Sequence, residues 1–446
     1  MKIIEYTLGL PPYRRGGLPR YSLDLATELA KDNDVYLLYP GQMMPNGKAL
    51  KIAEVPTAFH FTTYEMKNPL PVSLGLGIQD EPKYYETREI EKFKQLIGAL
   101  KPDVFHLHTL MGLPLESLQY VKEQGIKIVY TTHDYYGLCP KMLSAAGQRE
   151  LATDHCTDDC MLCALGPSYK KILVMQSHLY QYFKESKLVK KLRKKGKGTI
   201  RDTQANTNHF SAKQVAQRKR LREYYLAMLE LVDEFHFNST VAEEYFKRFL
   251  SQAQGKVIPI THAGLKDLRE QRSAEKEARP LRIGYVGPYD HKKGFDLLKQ
   301  TLISMEQTDA WQADFYGDIV DDPLFKRSNI TNHGVVPSYQ VAAALQQLDV
   351  LVMPSRWHET FGLIGLEALL VGTPCLMSSR VGAKDLVPKN WIFQSEVDLQ
   401  QRLMDLILDP NKVSLMKKEV KQLALNYSMA DHTQIVYDTV FANKES

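Results

Sequence analysis

Long apolar runs are missing from this 446-residue chain. No stretch approaches the roughly 18 apolar residues of a membrane-spanning helix, and the opening MKIIEYTLGLPPY is too short a run for a secretory signal. Cysteine is scarce: five in all, too few for a disulfide scaffold of this size. Neither sign of charge dominates, with 57 Lys and Arg against 52 Asp and Glu. A G-x-G-x-x-G fingerprint is also missing, because Gly9, Gly16 and Gly17 do not make that spacing, and this argues against a nicotinamide enzyme. What is present is 44% apolar residues, ample for globular cores and for two to three domains. Together these imply a cytoplasmic protein, soluble or peripheral on the inner face of the membrane.

The chain is organised around residues 350–374, VLVMPSRWHETFGLIGLEALLVGTP. Val350 to Met353 is short, rich in β-branched residues and closed by Pro354, which predicts a buried parallel strand feeding a loop. From Phe361 the apolar period changes. Leu363, Leu366, Leu369 and Leu370 fall three or four apart, and Gly372 with Pro374 supplies a stop, so a helix follows. In an open α/β sheet such a loop lies at the carboxyl ends of the strands, where ligands bind, and the helix start favours an anion. Glu359 stands on the loop and Glu367 about one turn into the helix, seven residues between them. Glu367 has the reach for vicinal hydroxyls and Glu359 for a group beyond the anion, so a sugar attached to a diphosphate fits both. That spacing across a loop-to-helix junction suits binding better than proton transfer.

The PS, E, FG, EA and G-x-P residues with this Glu-x7-Glu spacing resemble the donor-site signature of the family 4 glycosyltransferases of GT-B fold. The resemblance implies α/β architecture with two doubly wound, Rossmann-like domains facing across a cleft, and a retaining transfer from a UDP- or GDP-sugar without a catalytic metal. Glu367 would then hold the ribose hydroxyls and Glu359 the donor sugar. Gly362, Leu363 and Ile364, at the helix start, would meet the diphosphate.

The rest of the chain keeps the same rhythm. Strands are predicted at 2–7, 35–39, 102–108 and 127–134 and helices at 18–31 and 89–100, an alternation that implies βαβ units and a parallel sheet. VDEFHFNS and KVIPI, around 231–260, finish the first set, and the charged, patternless residues 267–280 read as a linker. A second set follows: strands at 281–286 and 312–316, helices at 294–304 and 338–347, and CLMSS after the central stretch. The domains are therefore expected at 1–268, an acceptor-binding domain, and at 277–427, a nucleotide-sugar domain. By the resemblance, the helix at 429–442, capped by Ser428, crosses back to the N-terminal domain as a final segment, 428–446.

Four further groups bear on chemistry. GYVGPYDHKKGFDLL, residues 284–298, is similar to the family's G-R-x4-K-G element, with Gly287 and Gly294 as its glycines and Lys293 as the lysine that neutralises the leaving diphosphate. Pro288 stands where the family has a second cation, an arginine, and Lys292 or Arg356 would have to replace it. Gly16 and Gly17, after Arg14 and Arg15, resemble the family's N-terminal glycine loop, whose amides approach phosphate or acceptor. His133, before Asp134 at the end of a strand, matches a family histidine that contacts the donor sugar or its phosphate. His106 and His108 read as structural.

Cys139, Cys156, Cys160 and Cys163 form the fourth group, spaced C-x16-C-x3-C-x2-C. In a reducing compartment this favours a structural zinc, with paired or free thiols and an iron–sulfur cluster as alternatives. Cys375 reads as core.

Between Lys170 and Arg222 there are 16 Lys or Arg against only Glu185 and Asp202. With Leu188, Val189, Leu192, Tyr180, Tyr182 and Phe183 nearby, this basic arm suits an anionic membrane surface, with nucleic acid as the rival target and a solvated insertion as the plain alternative. The reading is membrane rather than nucleic acid, and a glycan or lipid-linked acceptor in cell-surface polysaccharide or glycolipid synthesis. A nucleotide-sugar epimerase of the same fold, and a non-catalytic membrane-associated scaffold, are the competing functions.

Overall fold

The structure is a computed structural model that describes residues 1–442 apart from 15, 45–46, 74–77, 139–166, 185, 187–210 and 272–279. The chain divides into two compact units. One is Met1–Phe237 with Phe246–Lys256 and the residues from Thr433 on, and the other is Asn238–Tyr245 with Val257–His432.

The first unit is built on an eight-stranded sheet in the order β3-β4-β2-β1-β5-β6-β7-β8. Its strands are β1 (Lys2–Tyr6), β2 (Asp34–Pro40), β3 (Lys51–Val55), β4 (Thr62–Lys67), β5 (Val104–Leu107), β6 (Lys127–Thr131), β7 (Glu234–Phe237) and β8 (Gly255–Val257). Its helices are α1 (Gly17–Leu29), α2 (Glu91–Leu100), α3 (Leu115–Glu123), α4 (Tyr169–Met175), α5 (His178–Phe183) and α6 (Ala212–Leu229). β1, β5 and β6 pair in parallel and are buried on both faces, which is why apolar residues dominate them, with Glu5 and His106 as buried polar exceptions.

β3 and β4 form an antiparallel pair that the sequence does not announce. No residue of β3 is fully buried, so its sequence carries no core-facing alternation to read. α6 is started by a capping box, with Ser211 and Gln214 satisfying each other's backbone amides. At the end of the chain, Phe441 lies edge-on to His106, ring centroids 5.1 Å apart, and the Lys127 ammonium donates to the Val440 carbonyl.

The second unit is a six-stranded parallel sheet in the order β11-β10-β9-β12-β13-β14. Most of α7 (Thr240–Lys247) belongs to it. There follow β9 (Leu281–Val286), α8 (Phe295–Ser304), β10 (Trp311–Tyr316), β11 (Ile330–Asn332), α9 (Ser338–Gln346), β12 (Val350–Met353), α10 (Leu363–Leu370), β13 (Cys375–Ser378) and β14 (Ile392–Phe393). Helices α11 (Glu396–Leu408) and α12 (Pro410–Gln422) follow, and α13 (Met429–Val436) belongs to this unit up to His432 and to the first from Thr433. Trp311, Phe315, Trp391 and the four residues of β12 fill its core.

Cys375 is buried in that core, where burial pushes its thiol well above the usual range. Asp267 and Arg269 are held to the second unit, since Arg269 pairs with Asp267 at 2.6 Å and donates to the carbonyls of Val420 and Leu423. Among the described residues no helix is long and apolar enough to cross a membrane.

Candidate active site

In the second sheet β9 has β10 on one side and β12 on the other, so the strand order reverses between β9 and β12. Loops after the two central strands of a doubly wound sheet diverge at such a point and leave room for a ligand. The loop after β9 carries Gly287, Pro288, Lys292 and Lys293. The loop after β12 carries Arg356 and Glu359 and ends in α10.

Backbone contacts lock these loops together. The Lys292 carbonyl accepts from the backbone amides of Arg356 at 2.9 Å and Trp357 at 3.1 Å, and from the Ser355 hydroxyl at 3.0 Å. Gly294 adopts φ 71°, and a Cβ there would run into the Pro354 carbonyl oxygen, so close approach of the loops requires glycine at this position. Lys293 is fixed through its amide, which donates to Asp290 Oδ1 at 2.8 Å. The Glu359 segment is pinned on its other side, where its amide donates to the Arg380 carbonyl and its carbonyl accepts from Gly382.

The side chains then converge. Lys293 Nζ lies 3.0 Å from Glu359 Oε2, with the lysine 40% and the glutamate 11% exposed. Gly362 is the N-cap of α10 at φ 94°, in the left-handed region that favours glycine, and supplies no side chain to cap the first helical amides. The Gly365 amide is taken by the Gly362 carbonyl, whereas Leu363 and Ile364 are the first two helical residues and have no carbonyl one turn back within α10.

Glu367, about one turn on, has Oε1 at 3.4 Å from His262 Nε2. His262 Nδ1 accepts from the Gly264 amide at 3.2 Å, so the ring proton sits on Nε2 and is directed at the carboxylate. His262 was not singled out from the sequence. The available signal is a polar residue, in THAG, closing the apolar run KVIPI.

The two replacements considered for the missing arginine are both engaged. Arg356 Nη2 pairs with Asp296 at 3.2 Å, and Lys292 Nζ lies 5.3 Å from the centre of the Trp357 ring. Pro288 itself uses its carbonyl, which accepts from the Tyr285 hydroxyl at 2.7 Å.

The remaining candidates lie in the first unit. Gly16 is the N-cap of α1 and Gly17 its first residue; Gly16 has φ 134°, and a Cβ built on it meets nothing within 4 Å among the described residues. Arg14, before them, is buried against the Tyr13 ring at 4.4 Å.

His133 follows β6, and its Nε2 is 3.1 Å from His108 Nδ1. His108 Nε2 is in turn 2.6 Å from Glu5 Oε2, and His106 Nδ1 is 2.9 Å from the same oxygen. Glu5, His106 and His108 are fully buried. Burial alone would raise the Glu5 carboxyl, but the charges and hydrogen bonds of His106 and His108 outweigh it and hold the group down at about 2. Burial, with His106 beside it, pushes His108 down to about 4 despite the opposing Glu5. Asp134 is pushed up to about 6 by desolvation, against a hydrogen bond from the Tyr136 amide. Cys139, Cys156, Cys160, Cys163 and the basic arm from Lys187 to Arg201 lie outside the described residues.

Two family profiles match the chain, Glycosyltransferase Family 4 over residues 15–154 and Glycosyl transferases group 1 over residues 280–409. An uncharacterised 41.2 kDa protein in the cps region of Klebsiella pneumoniae is 30% identical over 125 residues, 28% of this chain and 34% of that protein. The putative colanic acid biosynthesis glycosyl transferase WcaC of Escherichia coli strain K12 is 23% identical over 219 residues, 48% of this chain and 50% of WcaC. The chain thus spans half or less of the length of these relatives. Among solved structures, a sucrose-phosphate synthase from Thermosynechococcus elongatus superposes at TM-score 0.55 with 18% identity, covering 99% of this chain and 100% of that one. The Anabaena protein HepE, in complex with UDP and glucose, gives 0.51 with 14% identity over 99% and 100%. The two parallel-sheet units are those of the GT-B fold.

Proposed function

The chain belongs to the family 4 glycosyltransferases, and from that premise we propose that it moves a sugar from a nucleoside diphosphate donor to an acceptor hydroxyl with retention at the anomeric carbon. The observation that carries the reading is the Lys293–Glu359 pair across the two loops at the strand-order reversal of the second sheet, with the second loop leading into the start of α10 and, about one turn on, Glu367. Glu367 holds the ribose hydroxyls through the oxygen that His262 does not engage. Lys293 and the amides of Leu363 and Ile364 hold the diphosphate, with Gly287 lining its approach. A lysine ammonium has three protons to give, so one on Glu359 leaves two for phosphate oxygens. Glu359 is read as a contact for the donor sugar. In the first unit, taken by itself, His133 is read as a contact for a donor sugar or its phosphate, and Gly16 and Gly17 as the place where phosphate or acceptor comes close to the start of α1.

In the reaction the bond from the anomeric carbon to the diphosphate oxygen breaks as the acceptor oxygen bonds to the same face. The acceptor proton passes to the departing phosphate oxygen. Negative charge grows on the diphosphate as the bond breaks, and Lys293 with the helix start is aimed there, where stabilisation lowers the barrier. No residue is assigned as a nucleophile and no catalytic metal is required.

The acceptor is a glycan or lipid-linked precursor of a cell-surface polysaccharide, a reading supported by the colanic acid relative. Val174, Leu179, Tyr182 and Phe183 are exposed on α4 and α5 just before the basic arm, which supports docking on an anionic membrane surface at the cytoplasmic face. The spacing of the four clustered cysteines supports a structural zinc.

A thermal-shift panel of UDP- and GDP-sugars, then anomeric analysis of the product by NMR, tests the transfer. Binding of no nucleotide sugar at millimolar concentration would sink the reading, and free sugar epimerised without acceptor would replace it with an epimerase. Sedimentation with anionic against zwitterionic vesicles tests the membrane contact. Metal analysis of the protein before and after Cys160→Ser tests the zinc.

A further inference from the structure

Most of the buried polar chain behind His133 has no part in the reading above. β1 and β5 pair in parallel with Glu5 beside His106, and this register stacks a carboxylate against imidazoles inside the sheet. A carboxylate with 0% exposure costs stability unless it is fully hydrogen-bonded, yet Glu5 Oε1 is buried with no hydrogen-bond partner among the described residues. An apolar residue would serve a purely structural position better.

The donors and acceptors can be followed atom by atom. An ionised carboxylate only accepts, so the 2.6 Å contact places the His108 proton on Nε2, pointing to Glu5. The neutral ring then carries its lone pair on Nδ1, 3.1 Å from His133 Nε2. His133 therefore donates from Nε2. Tyr21 of α1 holds both rings from the side, with centroids 5.7 Å from His108 and 5.0 Å from His133. A side branch runs from His106 Nε2 to Thr131 Oγ1 at 2.7 Å and on to His236 Nδ1 at 3.1 Å, closing the polar cluster.

We propose that Glu5 and His108 are positioning residues that act through His133, fixing the orientation and tautomer of its ring so that Nδ1 faces its ligand as a hydrogen-bond acceptor. This rests on the reading of His133 as a donor-sugar contact and gives that contact a chemistry. An acceptor nitrogen matches a sugar hydroxyl, whereas a phosphate oxygen needs a donor. The same three side chains, Glu5, His106 and His108, also form the kind of group that holds a metal ion. Their nitrogens stand only 2.6 and 2.9 Å from Glu5 Oε2. Ligands bound at zinc distances would be roughly 3.3 Å apart, so the spacing is that of hydrogen bonds.

Histidine-selective 15N labelling of the full chain, with long-range proton–nitrogen correlation, reads the tautomers directly. The expected result is a proton on Nε2 in both His108 and His133, and a His133 signal that moves toward mixed tautomers in Glu5→Gln. With nucleotide sugar, Glu5→Gln should lower kcat roughly 10- to 100-fold, the scale seen when the partner behind a functional histidine is removed, with little change in donor KM.

A His133 proton on Nδ1 in the unsubstituted protein overturns the proposal, and this measurement stands even if a variant fails to fold. Unchanged His133 nitrogens in folded Glu5→Gln and His108→Asn also overturn it. Stoichiometric metal that survives replacement of the four clustered cysteines and is lost in His106→Gln would make the cluster a metal site instead. Because the tautomers are read without turnover, a protein with no transferase activity would count against the function and leave this test intact.

Discussion

Lys293 and Glu359 form an ion pair at 3.0 Å across the two loops that meet at the strand-order reversal of the second sheet. Each is fixed by its own backbone, Lys293 by Asp290 and Glu359 by Arg380 and Gly382. The ammonium is thus held in place before any ligand arrives, a preorganisation that reduces the ordering cost of binding.

Opposite outcomes are expected from removing the two partners. Lys293→Met should weaken UDP or GDP binding by about 1.5–3 kcal/mol, the scale of a hydrogen bond to a charged group. Glu359→Gln removes the carboxylate that competes for the ammonium, so the nucleoside diphosphate should bind as tightly or tighter while transfer falls. Calorimetry with both nucleotides and a transfer assay measure the pair. Equal weakening by both substitutions would mean that Glu359 does not oppose the phosphate.

Gly294→Ala should destabilise the protein by about 1–3 kcal/mol, because the residue is held at φ 71° and its new Cβ would meet the Pro354 carbonyl. Gly98→Ala is the contrast. Gly98 lies inside α2, where a Cβ meets nothing within 4 Å, so alanine should add up to about 1 kcal/mol. Urea unfolding of the two variants compares loop strain with helix propensity under one condition.

The buried cluster predicts an acid-sensitive first unit. Folded His108 is pushed down to about 4, against about 6.5 in an unfolded chain. As pH falls from about 6.5 toward 4, the unfolded chain gains a proton that the folded one refuses, and stability is lost. Glu5, held at about 2, adds a loss of the same sign as pH falls from about 4.5 toward 2. Removing the ring in His108→Asn should therefore make the dependence of unfolding free energy on pH shallower between pH 6.5 and 4.5, by up to about 1.4 kcal/mol per pH unit. His432, which burial also lowers to about 4, contributes alike to both proteins, so the difference between them reads His108. Identical slopes would show that His108 is protonated as easily folded as unfolded.

The loops after β9 and β12 were legible because their information is local. VLVM, the glycines and the helix period each dictate structure within a few residues, and the strand ends fall where the residues after them become polar. Relationships across the chain were not legible. Glu5 in KIIEYT is an ordinary strand residue until β1 pairs with β5 and brings it beside His106, 101 positions away. His108, which like His106 reads as structural in the sequence, stands between that carboxylate and His133. β3 escaped for another reason: its exposed and half-buried residues have no core face to imprint a period. His262 was missed because its partner, Glu367, is 105 residues away and the polar end of a strand has many uses.

That His262–Glu367 contact leads to the sharpest test of the proposed donor site. Glu367 is 28% exposed and its Oε1 is engaged by the ring proton of a buried histidine, which leaves the carboxylate oriented while one oxygen can face a ligand. If it receives the ribose hydroxyls, the protein should prefer UDP over its 2′-deoxy counterpart, since loss of a hydroxyl leaves a charged acceptor unsatisfied. Glu367→Ala should weaken UDP binding by about 1.5–3 kcal/mol and should abolish the preference. His262→Ala should fall between, because the carboxylate remains but loses its orientation, and His262→Gln, which keeps a donor at this position, should recover part of the difference. Calorimetry of UDP and 2′-deoxy-UDP against the four proteins gives the eight affinities required. A preference for UDP that persists in Glu367→Ala would move the ribose contact to another residue, whereas loss of binding without loss of preference would place Glu367 on the phosphate side of the nucleotide.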